Sequence, residues 1–131
     1  MTTSILATVV LIVLCAGPAA YAEWVEIVKD DNQTFYIDPG TIQHTESRAK
    51  VWELVDHMSS QPFQRSYYFS ARIHVEYDCI EETRRILAIT YLSGNMGSGA
   101  EVFKGSGEGP WVPIPPGTIG QSLRHTACNK K

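Results

Sequence analysis

Three polar side chains that could do chemistry lie close together in this sequence: Arg72, His74 and Glu76. If the segment is a strand, their spacing of two places them on one face, because side chains alternate between faces along a strand. An imidazole beside a carboxylate could bind a metal ion or transfer protons. No third ligand has a recognisable spacing, so an exposed polar strand face is the competing interpretation of the same pattern.

Other sequence motifs for catalysis are missing. The chain has no G-x-S-x-G, no H-E-x-x-H, no C-x-x-C and no glycine-rich loop that leads into a clear helix. The acidic pair Asp30 and Asp31 lacks the spaced carboxylates of a calcium loop. We therefore expect no catalytic residue, no bound metal and no cofactor.

The segment that carries the polar triplet, residues 66–79, has the most regular pattern in the chain. Its even positions are almost wholly polar, whereas its odd positions are apolar or aromatic: Tyr67, Phe69, Ala71, Ile73, Val75, Tyr77 and Cys79. This period of two predicts a long strand of an antiparallel sheet. We expect the odd face to lie on a core and the even face to lie in water, in a register that is strongly fixed.

The chain begins with a pattern typical of a signal peptide. Residues 5–14 form an apolar run that is short for a membrane-spanning helix. Ala20 and Ala22 are small residues at the two positions that a signal peptidase reads. We therefore expect cleavage between Ala22 and Glu23, which divides the chain into a signal peptide (1–22) and one domain (23–131).

Two alternatives to cleavage at this position are open. One is an uncleaved membrane anchor, since the first four residues contain no Lys or Arg. The other is a lipid anchor on Cys15, but the bulky Leu14 precedes it where lipoproteins carry a small residue. Once the signal peptide is removed, no stable insertion into a membrane is expected.

The interpretation of the two cysteines that remain after cleavage depends on whether the protein is exported. Cys79 and Cys128 form an even pair in a protein expected to reach an oxidising compartment, which predicts a disulfide bond. A catalytic thiol is the alternative. All charged residues lie after the signal peptide, and their balance of −3 without a long Lys/Arg run argues against nucleic acid as a partner.

The rest of the domain predicts short strands followed by one helix. We expect strands at 24–29, 34–38, 49–57, 66–79, 84–93 and 101–104. Residues 39–40 (Pro-Gly) should break the second strand, residues 58–65 should form a loop, and the proline-rich residues 111–116 should form an extended edge. Ile119, Leu123 and Ala127 repeat at helical spacing after Thr118. The predicted fold class is α+β: a single antiparallel β-sheet of about six strands, one C-terminal α-helix packed on it, and one disulfide.

Several stretches together resemble the surface-adhesin protein E family of small exported bacterial proteins. They are WVEIV at 24–28, the hairpin at 31–38 with PGTI after it, VW at 51–52, VEYDC at 75–79, RR at 84–85, Tyr91 before Met96-Gly97, WVPIPPG at 111–117, and Cys128. The resemblance covers most of the domain. It implies an antiparallel sheet with a C-terminal helix, a Cys79–Cys128 disulfide, binding to host extracellular-matrix or plasma proteins, and a homodimer.

The functional expectation is an exported, non-enzymatic, adhesin-like domain in the periplasm or on the surface of a bacterium. It would recognise a protein partner in the envelope or on host matrix, through a sheet edge such as 101–104 or the proline-rich segment. The alternative is a small periplasmic enzyme or metal-binding protein that uses the His74/Glu76 face. A self-associating structural component of the envelope is a third hypothesis.

Overall fold

The computed structural model describes residues 22–129. Its strands are β1 (Val25–Lys29), β2 (Gln33–Thr45), β3 (Arg48–Phe63), β4 (Ser66–Asp78), β5 (Thr83–Leu92), β6 (Glu101–Ser106) and β7 (Val112–Pro113), and its one α-helix is α1 (Ile119–Asn129). A short 3-10 turn, Asn95–Gly97, lies between β5 and β6. The strands form one antiparallel sheet in the order β1-β2-β3-β4-β5-β6, and β7 pairs with the start of β5. The predicted fold class is confirmed.

Helix α1 packs on one face of the sheet and closes the hydrophobic core. Its stripe at helical spacing buries Leu123 and Ala127 completely, and Ile119 packs beside them. The strand residues that meet the helix come from β2, β3 and β4: Ile37, Ala49, Val51, Val75 and Tyr77. Burying an apolar stripe on an apolar sheet face is what stabilises a short helix of this kind.

A disulfide bond fastens the helix to the sheet. The sulfur atoms of Cys79 and Cys128 are 2.08 Å apart, so the predicted pairing is confirmed. The bond joins the residue after β4 to the last turn of α1, across a sequence separation of 49. The covalent link holds the helix over the core at the same place where its apolar stripe ends.

Strand β2 does not stop at Pro39-Gly40, contrary to the expected break. It continues to Thr45, with its pairing to β3 shifted between Asp38 and Gln43. The Asp38 carboxylate accepts a hydrogen bond from the Gly40 amide (3.1 Å), and the Thr41 hydroxyl donates to the Asp38 carbonyl (2.7 Å). These side-chain bonds replace the ladder bonds that proline cannot make, so the chain forms a bulge instead of a break.

Strand β3 also extends further than expected, through the segment 58–65 that was predicted as a loop. It ends at Phe63, and its pairing with β4 shifts between Asp56 and Gln61. The shift absorbs extra residues in β3, and this explains why the segment lacks strand periodicity in the sequence. Proline is tolerated here because Pro62 lies at the strand end.

The even face of β4 does not lie in water, which corrects the amphipathic interpretation of that strand. Ser70 is fully buried and Glu76 is 4% exposed, although both are polar. Residues 93–100 fold back across this second face of the sheet. The Ser70 hydroxyl donates to the Gly94 carbonyl (2.6 Å) and accepts from the Gly97 amide (2.9 Å), which anchors the 3-10 turn there.

Candidate functional site

The pairing of the strands builds a row of side chains across the second face, opposite α1. Ala49 and Val51 of β3 face the helix, so the even-numbered neighbours of β3 point to the other side. The paired positions of four adjacent strands there are Leu54, Arg72, Thr90 and Lys104. Residues directly opposite in a sheet have adjacent side chains, so these four side chains lie side by side, with Leu54 fully buried at one end of the row.

A groove of about 410 Å³ runs along this row. Its walls include two indole rings, Trp24 before β1 and Trp52 of β3. Arg72, Thr90 and Lys104 line it from the middle and far strands. Ala22, Asp38, Thr41 and Glu101 complete the lining. The volume lies in the range of about 300–1,000 Å³ that is usual for small-molecule sites, and the mixture of aromatic walls and few polar groups is also usual for them.

Arg72 is the distinctive polar group of the groove. Its Nε is buried and has no hydrogen-bond partner among residues 22–129, and within that range its guanidinium forms no ion pair. Lys104 likewise forms no ion pair with the residues described. The Arg72 stem lies against the 3-10 turn at Gly97. A half-buried guanidinium with unused donors is suited to a planar anion.

Of the two carboxylates in the groove, Asp38 is already used within the protein. Asp38 is 9% exposed and accepts hydrogen bonds from the Glu23 amide (3.3 Å) and the Gly40 amide (3.1 Å). Glu101 is exposed on β6. The groove therefore presents two cations against one accessible carboxylate.

Trp52 is held in place by His74. Their rings stack at a centroid distance of 4.6 Å and an interplanar angle of 7°. Burial lowers the pKa of His74, the Lys50 ammonium lowers it further, and the Glu76 carboxylate acts in the opposite direction. A neutral imidazole is thereby favoured, and its ring packs against one face of the Trp52 indole.

The three residues of the polar triplet therefore do not converge on one point. Arg72 lines the groove, whereas His74 stacks on Trp52. Glu76 forms an ion pair with Arg85, with Oε1 lying 2.6 Å from Nη2 and 2.7 Å from Nε. The Arg85 guanidinium also lies over the Trp111 ring at 4.5 Å. Within residues 22–129, no three His, Cys, Asp or Glu side chains are grouped as ligands for a metal ion.

A second surface feature, which we call the aromatic cluster, lies beside the β6 edge of the sheet. Its members are Phe63, Tyr68, Tyr91 and Phe103. The rings of Tyr68 and Tyr91 stack at 4.1 Å, and Phe63 contacts both Tyr91 and Phe103 at 5.0 Å. Phe103 is 38% exposed. Tyr91 pairs with Ala71 and Phe103, so the side chains of Tyr91 and Phe103 lie on the same sheet face as α1.

The expected processing site lies next to the groove. Ala22 lines the groove, and the Glu23 amide is bonded to Asp38. Cleavage between them stays a prediction, as do lipidation at Cys15 and an uncleaved anchor, because residues 1–21 lie outside the described part of the chain. No helix within residues 22–129 is long and apolar enough to span a membrane.

Sequence reasoning missed two sets of residues. The groove combines residues from the five strands β2 to β6 and from the segment before β1, which only the strand pairing brings together. The second set is a buried polar pair in the core, Glu53 and Tyr77. Its one sequence signal was a carboxylate in the apolar register of β3, between Val51 and Val55.

Comparisons with known proteins agree with this architecture. The family model described as "Surface-adhesin protein E" matches residues 24–129. A crystal form of Haemophilus influenzae protein E is similar at a TM-score of 0.64 and 16% identity, covering 88% of this chain and 94% of that chain. A structure of protein E from non-typeable Haemophilus influenzae is similar at a TM-score of 0.59 and 15% identity, covering 86% and 79%. No curated protein sequence matches this chain significantly.

Proposed function

The chain belongs to the surface-adhesin protein E family, and we propose that it is an exported, non-enzymatic binding domain that recognises a protein partner in the bacterial envelope or on host matrix. The observation that carries this proposal is the unpaired edge of β6 beside the exposed rim of the aromatic cluster. We propose that an extended segment of the partner pairs with β6 and contacts the cluster.

The edge of β6 is suited to strand addition. β6 pairs with β5 alone, so within residues 22–129 its other side has no strand partner. An unpaired strand offers a row of backbone donors and acceptors to a second chain. At the opposite edge, α1 packs against Ile27 of β1, which makes β1 the less open of the two edges.

The aromatic cluster supplies apolar contact area beside that edge. Phe103 belongs to β6 itself, and its ring contacts Phe63 and Tyr91. Tyr67, at the start of β4, is 63% exposed. Partly exposed aromatic rings held by neighbouring rings are typical anchors of protein interfaces, because they bury a large area at little cost in side-chain entropy.

The proline-rich segment is the weaker of the two edges expected from the sequence. Only Val112 and Pro113 form a strand, and they already pair with Arg84 and Thr83 of β5. Pro113 has no amide hydrogen to donate to an added strand.

The proposal is tested with residues 23–131 immobilised on a resin and exposed to envelope and matrix extracts. Three proteins are compared: wild type, Phe103→Ala, and Ile80→Ala as a control that removes an exposed apolar side chain from the distant β4–β5 turn (Ile80 is 74% exposed). A protein retained by wild type and by the control, but lost with Phe103→Ala, is then purified and titrated. We expect Phe103→Ala to weaken its binding at least about tenfold, as for an aromatic anchor.

Hydrogen exchange then locates the contact. In the complex, the amides of β6 should exchange more slowly, because an added strand accepts their hydrogen bonds. Thermal unfolding of Phe103→Ala should stay close to wild type, which separates lost binding from lost folding. The proposal is overturned if no retained protein distinguishes Phe103→Ala from wild type, or if protection in the complex appears away from β6.

A further inference from the structure

The second face of the sheet carries another site, which includes the Glu101 and Lys104 side chains of β6 but not the aromatic cluster. We infer that the groove between Trp24 and Trp52 binds an acidic sugar, with the ligand carboxylate on Arg72 and its ring against the indoles.

The carboxylate preference follows from the charges in the groove. The buried Nε of Arg72 has no hydrogen-bond partner in the described range, and the guanidinium forms no ion pair there. Lys104 adds a second positive charge in the same row, two strands away. Neutral amides do not offset the charge of Asp38, but in the chain that starts at Glu23 the α-ammonium group lies 3.3 Å from Asp38 Oδ2 and does offset it. Arg72 and Lys104 then face Glu101 alone, and this excess of one positive charge matches a ligand with a single carboxylate and disfavours polyanions.

The sugar preference follows from the walls. Trp24 and Trp52 supply flat apolar surfaces, and the stack on His74 fixes the orientation of Trp52. The lining also contains the hydroxyl group of Thr90, whereas the Thr41 hydroxyl is already bonded to the Asp38 carbonyl and the Trp52 amide. A pyranose ring has an apolar C–H surface for an aromatic ring and hydroxyl groups around its rim, so it can use both kinds of lining. A volume of about 410 Å³ accommodates a ring of this size.

The groove is also largely preformed, which favours binding of a small ligand. The Arg72 stem packs against the 3-10 turn at Gly97, and that turn is bonded to two strands. Asp56 accepts from the Asn95 side chain (3.0 Å) and from the Met96 amide (2.8 Å), while Ser70 bonds Gly94 and Gly97. Little conformational entropy is lost when the walls are already held in place.

The test is a titration of residues 23–131 with N-acetylneuraminic acid and glucuronic acid, followed by tryptophan fluorescence and by the indole N–H signals in NMR spectra. N-acetylglucosamine and glucose serve as neutral sugars, and acetate serves as a carboxylate without a ring. We expect saturable binding of at least one acidic sugar, and affinity at least about tenfold lower for the neutral sugars and for acetate, because each lacks one half of the recognition.

Three variants locate the site. Arg72→Gln should weaken binding at least about tenfold, as expected for a charge-assisted pair. Lys104→Gln should weaken it about threefold, as expected for an exposed charge, and its position on the surface leaves folding intact. Arg65→Gln, which removes an exposed arginine from the β3–β4 turn, is the matched control and should bind as wild type does.

Several results would overturn the inference. One is that neither acidic sugar shows saturable binding. Another is that glucose or acetate binds as tightly as the acidic sugar. A third is that Arg72→Gln and Lys104→Gln both bind the acidic sugar as wild type does. Failure here would leave the β6 proposal unaffected, because that proposal uses the backbone of β6 and the Phe103 ring, and it is tested by another assay.

Discussion

The Tyr77 hydroxyl donates a hydrogen bond to the carboxylate of Glu53 inside the apolar core. Glu53 is 2% exposed, and Tyr77 is fully buried. Burial raises the pKa of Glu53 to about 7, while the bond from Tyr77 and the positive charge of Arg84 act in the opposite direction. A carboxyl group in this position is therefore close to half protonated near neutral pH.

This pKa gives the first prediction, a loss of stability as pH rises. The folded-state pKa of about 7 lies above the reference value of 4.5, so the fold binds the proton more tightly than the unfolded chain. The stabilisation is present in full below pH 4.5 and is lost as pH rises to about 7. The free energy of unfolding of Glu53→Gln should change less over this window, as measured by urea unfolding at a series of pH values.

The control for this prediction is Glu26→Gln, which changes an exposed carboxylate on β1. It should keep the pH dependence of the wild type. If Glu53→Gln kept that dependence as well, the buried carboxylate would not be its source.

The second prediction concerns the anchor of the 3-10 turn. Ser70→Ala removes the hydroxyl that bonds both the Gly94 carbonyl and the Gly97 amide. Leaving such groups without partners costs about 1–3 kcal/mol in the free energy of unfolding. Urea unfolding should show this loss, and the Gly97 amide should exchange its hydrogen faster.

Ser106→Ala is the matched control, since Ser106 is exposed at the end of β6. Its unfolding midpoint should stay close to that of the wild type. Equal shifts for the two variants would contradict an anchoring role for Ser70.

The third prediction concerns the disulfide. Replacing Cys79 and Cys128 together by serine opens a loop with a sequence separation of 49. The chain-entropy model then gives a loss of about 4 kcal/mol in the free energy of unfolding. Wild-type protein should show a similar loss after addition of a reductant, whereas the double variant should not respond to it. An identical midpoint for oxidised and reduced wild type would contradict this prediction.

The fourth prediction concerns the effect of signal-peptide cleavage on the stability of the fold. If cleavage occurs after Ala22, the nitrogen of Glu23 becomes an α-ammonium group 3.3 Å from Asp38 Oδ2. A chain that starts at Glu23 should then be more stable than one that starts at Ala22, by about 1 kcal/mol at neutral pH. The difference should fade above about pH 8, where an α-amine loses its proton.

Two measurements check this prediction. The intact mass of protein from the native envelope should correspond to a chain that begins at Glu23. In addition, Asp38→Asn should abolish the stability difference between the two starting points, because the charge partner is gone. If the stability difference between the two starting points remained in Asp38→Asn, another contact would be its source.

The sequence predicted the parts of the fold that depend on local pattern. The alternation in residues 66–79, the helical repeat at Leu123 and Ala127, and the cysteine pair each indicated a feature that the structure contains. A prediction was wrong where side-chain hydrogen bonds compensate for a residue that normally breaks a strand. The Pro39-Gly40 step was expected to end a strand, because its rescue by side chains of Asp38 and Thr41 cannot be recognised from composition.

The candidate site was harder to predict than the fold, for a related reason. The sequence placed Arg72 in a triplet with His74 and Glu76. In the structure, the residues that line the groove beside Arg72 are Trp52 and Thr90 on the adjacent strands. Neighbours across a sheet depend on register, and the register here is changed by shifts in all four strand pairs that build the site. A single sequence does not reveal where such shifts occur.

The cysteine pair also has a mechanical consequence. When the chain is pulled between residues 22 and 129, the bridge carries the load from Cys79 directly to Cys128, across a Cα–Cα distance of 5.8 Å. The backbone between the two cysteines would span roughly 170 Å if it were fully extended, and the disulfide prevents this segment from extending under load. Strand β6 lies within the loop that the disulfide closes. Tension along the chain would therefore extend β1 to β4 first, while the backbone of the proposed partner-binding edge stays unstretched.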